Sequence, residues 1–167
     1  GTLESLFVTP VGSGEILTAK AATNFLLGMV SLAISMVFAA FVFDIPIRGS
    51  LLLLLAVSAL FLIVALGLGL VISTATKNQF LACQFAIMGT FMPALMLSGF
   101  LYDILNMPPA VRAVTYLIPA RYYVTLLQTL FLAGDIPSVI IPCCITLGVF
   151  AVVLMSIARL KAPKSLE

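Results

Sequence analysis

The charged residues of this sequence are spaced so widely that four long apolar stretches remain between them. The first stretch lies between Lys20 and Asp44. As a helix rising about 1.5 Å per residue it reaches about 34 Å, more than the ~30 Å hydrocarbon core of a bilayer. Since only helices and closed barrels satisfy the backbone in lipid, the pattern predicts an all-α, polytopic membrane helix bundle. The predicted spans are residues 21–43, 51–72, 80–102 and 136–158.

The composition agrees with this class. Hydrophobic residues make up 63% of the chain, charged residues only 8%, and the mean hydropathy is +1.28. Soluble domains carry about 25% charged residues, so this chain could not cover its surface with polar groups in water. We therefore expect the lipid bilayer to be its solvent. The net charge of +2 comes without a run of basic residues, and this argues against a nucleic-acid partner.

The stretch between the third and fourth spans, residues 103–135, has a different character. It contains Pro108, Pro109 and Pro119, together with Arg121. Two short helical patterns fit, residues 109–117 and residues 120–133, the second ended by a glycine. Both are too short or too charged to cross a membrane. They predict a pair of external half-helices that either re-enter one leaflet or lie on its surface.

Basic residues at the ends of the spans predict the orientation of the chain. Four crossings place both termini on one side of the membrane. Five basic residues fall on that side and three on the other, which favours a cytosolic location for residues 1–20 and for the tail, residues 159–167. The five are Lys20, Lys77, Arg159, Lys161 and Lys164, and the three are Arg48, Arg112 and Arg121.

Catalytic chemistry finds little support in the sequence. There is no histidine, no phosphate-binding GxxxxGK[ST] loop, and no Asp, Glu, Lys or Arg within the four spans. We therefore expect a protein that is not an enzyme, binds no cofactor or metal of its own, and is not an ion pump. The three cysteines, Cys83, Cys143 and Cys144, are interpreted as small hydrophobic residues of packed helices.

A few polar and sulfur-containing side chains within the spans are candidates for a substrate path. Two are amides near the predicted cytosolic ends of their helices, which either bond neighbouring helices together or line a cavity open to the cytosol. Three are methionines, whose flexible thioethers suit varied apolar ligands but equally suit ordinary packing or lipid contact. The candidates are Asn24, Gln84, Met88, Met92 and Met96, the last four recurring every four residues on one drifting helix face.

Two further features of the spans concern helix geometry. Ala65 and Gly69, four residues apart, are typical of close helix contacts in lipid. Pro93 removes the hydrogen bond to the carbonyl of Gly89 and predicts a bend in the third span.

The opening segment, GTLESLFVTPVGSGEILTAK, is amphipathic. Leu3, Leu6 and Phe7 fall at helical spacing with Glu4 on the other face, and Pro10 then ends the pattern. Ser13 is suited to cap a second helix that leads into the membrane. From the residues alone, a helix lying on the membrane surface and a helix that docks on another protein are equally good interpretations.

These motifs resemble the type-2 ATP-binding-cassette (ABC) transporter permeases. The resemblance is carried by the opening segment at residues 1–20, by GLGLVISTATKNQF at 67–80, by LSGFLYDILNMPP at 97–109 and by YLIPARYYVTLLQTLFLAG at 116–134. It extends over the whole chain, with several motifs in the family's order.

The resemblance implies the membrane subunit of an exporter, with these four spans as the third to sixth of six. It implies that residues 2–8 form a coupling helix, with Leu3, Leu6 and Phe7 inserted into a separate ATPase subunit, Glu4 at the interface and Pro10 behind it. ATP and Mg²⁺ would be bound by that ATPase. It also implies a second permease protomer, and a bacterial inner-membrane location. Residues 103–135, including Pro108, Pro109, Pro119 and Arg121, would form the external gate region.

The substrate is the least constrained property. The uncharged spans and the methionines favour apolar or amphiphilic drug-like compounds or lipids. The alternative to a transporter is a channel subunit or a helix-bundle scaffold, neither of which needs the amphipathic opening segment.

Overall fold

The computed structural model describes residues 13–46, 48–76 and 78–161, and these form six α-helices, one short 3-10 helix (Ile104–Asn106) and no strand. Four of the helices are long and apolar enough to cross a membrane, which confirms the predicted all-α membrane bundle. The long helices are α1 (Ser13–Phe41), α2 (Leu51–Ala75), α3 (Gln79–Leu97) and α6 (Pro137–Lys161), and the short ones are α4 (Pro109–Thr115) and α5 (Pro119–Gln128).

The helix ends follow local chemistry. Helix α1 starts at Ser13, so the polar stretch before Lys20 continues into the first span as one helix. The Asn78 side chain accepts a hydrogen bond of 3.0 Å from the Phe80 amide and thereby caps α3. Pro109 and Pro119 stand at the first position of α4 and α5, where a missing N–H costs nothing.

The third span is shorter and less regular than its apolar length predicts. Helix α3 ends at Leu97, and residues 98–102 form bends and turns. Within α3, residues Ile87–Phe91 form a π-helical turn, in which the Met92 amide donates to the carbonyl of Ile87. This turn ends two residues before Pro93. The helix therefore contains one extra residue close to Pro93, where the sequence predicts a bend.

The buried core lies where α2, α5 and α6 meet. Leu54 and Val64 of α2, Leu126 of α5 and Leu147 of α6 are each at most 1% exposed. In contrast, the most apolar stretches of α1 and α3 contain no buried residue. The described chain thus has one packed side and two helices whose apolar surfaces face outward.

Helix contacts in this core depend on close approach, because lipid offers no hydrophobic drive for helix association. Gly67 of α2 is buried, and a Cβ placed on it would lie 2.9 Å from Cβ of Leu154 on α6. Gly69 has no atom within 4 Å of its Cβ position, and Ala65 is exposed. The helix contact therefore uses Gly67, while the predicted pair Ala65 and Gly69 faces another way.

Candidate functional site

The two short helices form a hairpin, residues 109–133, whose second arm ends beside the start of α2. After Gln128 the chain makes a π-helical turn, Thr129–Ala133, and stops at Gly134, whose φ of +90° suits glycine. The Gly49 amide donates to the carbonyl of Leu130 at 2.8 Å. The Ser50 amide donates to Oδ1 of Asp135 at 2.9 Å. These bonds hold the base of the hairpin at the Leu51 end of α2.

The other end of the hairpin lies much further along α2. The rings of Tyr123 and Phe61 are stacked with centroids 4.2 Å apart. Phe61 follows Leu51 by ten residues, or about 15 Å of helix. Residues 117–120, the hairpin tip, line one cavity together with Phe61 and Gly69. If α2 spans a ~30 Å core, the tip reaches about its middle. The contacts therefore favour a re-entrant hairpin over a pair of helices on the surface.

A cation is held within this hairpin. The Arg121 guanidinium lies 3.9 Å from the centroid of the Tyr116 ring and donates to the Thr115 hydroxyl, which is fully buried. The Tyr122 hydroxyl donates to the Tyr116 carbonyl at 3.0 Å. A charge at membrane depth is costly unless it is paired, and cation–π contact with a hydroxyl acceptor provides such pairing. Arg121 thus joins the two arms of the hairpin near the tip.

The other predicted gate residues have structural positions in the same hairpin. Pro108 precedes α4 in an extended conformation, and Pro109 and Pro119 begin its two arms. The sequence did not identify Thr115, Tyr116 or Tyr123 as partners. Thr115 and Tyr116 contact Arg121 across the turn between the two arms, and Tyr123 contacts α2, so these partners depend on three-dimensional contacts that sequence spacing does not give.

The predicted coupling residues Leu3, Glu4, Leu6, Phe7 and Pro10 lie outside the described residues. Asn24 is exposed on α1, a helix that packs against α2. Gln84, Met88, Met92 and Met96 are also exposed, on α3. Asn24, Gln84 and the three methionines do not belong to the core of the described chain, so they face lipid or a partner.

The π-helical turn has a consequence for the methionines. Twelve residues separate Gln84 from Met96, and in a regular α-helix at about 100° per residue the two would differ by about 120° in direction. The turn absorbs about one residue, which lowers this difference to about 20°. The π-helical turn therefore aligns Met88, Met92 and Met96, which are 66%, 53% and 50% exposed, on one face instead of a drifting one.

Two cavities adjoin the hairpin. One, of about 500 Å³, lies between α2, α3 and the tip and is lined mainly by apolar side chains. The other, of about 390 Å³, lies at the end of α3 and has polar walls that include Ser98, Asp103, Thr125 and Gln128. One carboxylate oxygen of Asp103 is already occupied, because it accepts a hydrogen bond of 3.0 Å from the nearby Leu105 amide. No group of His, Cys, Asp or Glu in the described residues could hold a metal ion.

This architecture is that of an all-α membrane helix bundle, with four helices long and apolar enough to cross a bilayer and a hairpin of two short helices between the third and the fourth. The model of the ABC-2 type transporter family matches residues 1–132. The chain belongs to this family, as the motifs in the sequence predicted.

Curated relatives agree with the assignment. The chain is similar to the probable multidrug ABC transporter permease YbhS of Escherichia coli K12, with 45% identity over 100% of this chain and 44% of the relative. It is also similar to the probable multidrug ABC transporter permease YbhR of the same organism, with 29% identity over 79% of this chain and 36% of the relative. Inner membrane transport permease YhhJ of E. coli K12 is 28% identical over 99% of this chain and 44% of its own length.

The chain spans less than half the length of these relatives. No solved structure matches it.

Proposed function

We propose that this chain is the C-terminal, four-span part of a permease that exports apolar or amphiphilic compounds across a bacterial inner membrane. A separate ATPase subunit, which binds ATP and Mg²⁺, supplies the energy. The chain itself carries no catalysis. The observation that supports this most directly is the family match over residues 1–132, because it includes both the amphipathic opening segment and the re-entrant hairpin.

The opening segment is proposed as the site where the ATPase acts. Leu3, Leu6 and Phe7 insert into a groove of the ATPase, Glu4 lies at the edge of that contact, and Pro10 ends the helix. Helix α1 begins at Ser13 and runs without a break into the first span. Force applied to the opening segment would thus reach the membrane through a continuous helix.

Substrate class is proposed from the spans. Residues 21–43, 51–72, 80–102 and 136–158 carry no Asp, Glu, Lys, Arg or His. The path we propose runs along the exposed face with Gln84 and the methionines, with Asn24 at its cytosolic end. Two permease protomers place these faces opposite each other. The names of the relatives YbhS and YbhR, probable multidrug ABC transporter permeases, are compatible with apolar substrates.

The test is a pull-down of the full-length permease from mild detergent, with mass-spectrometric identification of the proteins that co-purify. A stoichiometric ABC ATPase is expected with the unmodified protein. Phe7→Asp, which places a charge in the proposed docking surface, should remove it. Ser5→Asp adds the same charge outside the predicted apolar face and should retain the ATPase.

If no ATPase co-purifies even after crosslinking, or if Phe7→Asp and Ser5→Asp retain it equally, the proposed coupling is wrong. In the first case a channel subunit or scaffold would be the better assignment.

A further inference from the structure

The polar cavity of about 390 Å³ lies where α3 ends, and its walls carry polar groups from two parts of the chain. Ser98 and Asp103 come from the segment after α3, and Thr125 and Gln128 come from α5. Gln128 lies two residues before Leu130, whose carbonyl accepts the hydrogen bond from Gly49. The polar cavity is therefore at the end of the bundle where the base of the hairpin meets the start of α2.

The Ser98 hydroxyl is the observation that points to a ligand. Ser98 is only 2% exposed, and its hydroxyl makes no hydrogen bond within the part of the chain that the structure describes. No fully enclosed side-chain oxygen or nitrogen of the described residues lacks a partner, so the Ser98 oxygen opens into the cavity that this residue lines. A buried polar group without a partner is costly, and a bound molecule would satisfy it.

The backbone after α3 brings a carboxylate to the same cavity. Gly99 has a φ of +88°, which suits glycine, and a Cβ placed on it would lie 3.0 Å from Cδ1 of Ile104. The chain turns at this glycine, and Asp103 lines the polar cavity together with Ser98. The Leu105 amide holds one oxygen of the Asp103 carboxylate at 3.0 Å. The other oxygen remains available, so the wall carries a negative charge in a fixed position.

The remaining polar groups of the walls are mainly acceptors. The Thr125 hydroxyl donates to the Arg121 carbonyl at 3.0 Å, so its oxygen is left to accept. The Gln128 amide and the Ser98 hydroxyl can accept as well. Among the described residues, no Lys or Arg lines the cavity. This combination suits a primary ammonium group, which carries a positive charge and three N–H donors.

Other ligands fit these walls less well. An anion would meet the Asp103 carboxylate with no compensating cation on the walls. A metal ion usually takes several charged ligands, whereas the described residues contain no group of three His, Cys, Asp or Glu side chains. A quaternary ammonium group has the charge but no N–H to donate to the Ser98 oxygen.

The position of the cavity favours a membrane lipid as the source of the ammonium group. Phe100 lines the cavity and is 68% exposed, and the next residue, Leu101, is 57% exposed. Exposed aromatic side chains at the end of a spanning helix are typical of the membrane surface, where lipid head groups lie. An acyl chain could lie along these side chains while the head group enters the polar cavity.

We infer that the polar cavity binds the primary ammonium head group of a phosphatidylethanolamine lipid, with Asp103 as its counter-ion and Ser98 as an acceptor. This site goes beyond the proposed function, because its occupancy requires neither an ATPase nor transport. Loss of the ATPase in the pull-down would leave this inference standing, and loss of lipid binding would leave the ATPase coupling standing.

The experiment is native mass spectrometry of the full-length permease in detergent. The protein is titrated with phosphatidylethanolamine or with phosphatidylcholine of the same acyl chains, which differs only by three N-methyl groups. We expect the tightest site to prefer phosphatidylethanolamine about tenfold, equivalent to about 1.4 kcal/mol of binding. The soluble amine n-butylamine is titrated in parallel to distinguish a lipid head group from a free amine.

Matched variants assign this preference to the polar cavity. Asp103→Asn keeps an oxygen for the Leu105 amide but removes the charge, and it should abolish the tenfold preference. Ser98→Ala should reduce the preference about threefold. Asp44→Asn is the control, because Asp44 is exposed outside the cavity and asparagine tolerates its φ of +47°. It should bind like the unmodified protein. Unchanged phosphatidylcholine binding by each variant would show that the fold is retained.

Equal affinity of the unmodified protein for the two lipids would overturn the inference, as expected if another segment of the full-length protein covers the cavity. Equal effects of Asp103→Asn and Asp44→Asn would also overturn it. Binding of n-butylamine that depends on Asp103, without any preference between the lipids, would overturn the lipid as the occupant.

Discussion

The aromatic rings of Phe61 and Tyr123 lie parallel, with 1° between their planes and 4.2 Å between their centroids. The Tyr123 hydroxyl also lies 3.0 Å from Oγ of Ser58, which is buried on the same helix as Phe61. One side chain of the hairpin is thus fixed to α2 through both its ring and its hydroxyl. This contact sets the depth of the hairpin.

Two substitutions of Tyr123 should separate the contribution of its hydroxyl to the free energy of unfolding from that of its ring. Tyr123→Phe removes the hydroxyl and should cost about 0.6 kcal/mol, the average for a hydrogen bond within a membrane bundle. Tyr123→Ala also removes the ring and should cost about 3 kcal/mol. The measurement is reversible unfolding of the full-length protein in mixed micelles, with Phe85→Ala as a control because that ring is 57% exposed. Equal losses for Tyr123→Ala and Phe85→Ala would contradict the proposed anchoring.

Loss of the Arg121 guanidinium should loosen the hairpin tip. Arg121→Gln removes both the cation–π contact with Tyr116 and the charged bond to Thr115, together worth about 1–2 kcal/mol. Amide hydrogen exchange of residues 109–128 should become about tenfold faster, since each 1.4 kcal/mol corresponds to that factor. Arg112→Gln is the matched control, because Arg112 is exposed on the same hairpin. Arg121→Lys should restore only part of the protection, because lysine lacks the planar fork.

A methyl group at Gly67 should disturb the contact between α2 and α6. Its Cβ would lie 2.9 Å from that of Leu154, so Gly67→Ala should cost about 1–3 kcal/mol despite the better helix propensity of alanine. Gly148→Ala meets no atom within 4 Å and should be neutral or slightly stabilising. Thermal unfolding in detergent measures both. Leu154→Gly removes the opposing Cβ, so the loss for Gly67→Ala combined with Leu154→Gly should be smaller than the sum of the two single losses if the assigned contact is correct.

The orientation of the chain is testable by cysteine labelling. In a background that lacks Cys83, Cys143 and Cys144, Asn106→Cys should react with a membrane-impermeant maleimide added to intact spheroplasts, because Asn106 is exposed in the segment that precedes the hairpin. Ala19→Cys, next to Lys20, should react only after permeabilisation. The opposite pattern would invert the predicted topology and place the termini outside.

We predict that two protomers contact each other through the face of α3 that carries Met88, Met92 and Met96. In the same cysteine-free, full-length background, Met92→Cys should form an intermolecular disulfide under mild oxidation, because Met92 is 53% exposed on the aligned face of α3. Leu52→Cys, at a site on α2 that is 77% exposed, is the control and should stay monomeric on non-reducing gels. Equal crosslinking at both positions would indicate random collision instead of a specific dimer.

Much of the fold could be predicted because charge and proline act locally. The widely spaced charges located the four spans, and Pro109, Pro119 and Gly134 marked the ends of the two short helices. These features need no knowledge of the partner helix. The end of α3 at Leu97 was less predictable, since residues 98–102 remain apolar after the helix has stopped.

The site was harder to predict because it depends on contacts between helices that are far apart in the sequence. The depth of the half-helices beside α2 depends on the contact of Tyr123 with Phe61, residues far apart in the sequence. From the sequence alone, Arg121 is a charge outside the four spans. Its contacts with Tyr116 and Thr115 require the folded hairpin. Similarly, Pro93 indicated an irregularity, but the extra residue of the π-helical turn, and with it the alignment of the methionines, requires the backbone itself.

A hairpin that re-enters one leaflet enters and leaves the membrane on the same side, so it adds no crossing of the bilayer. Spans on either side of it keep their directions whether it is long, short or missing. A segment with this property can be lengthened, exchanged or lost among related proteins while every other helix stays correctly oriented. Sequence variation can accumulate there without any penalty in membrane insertion.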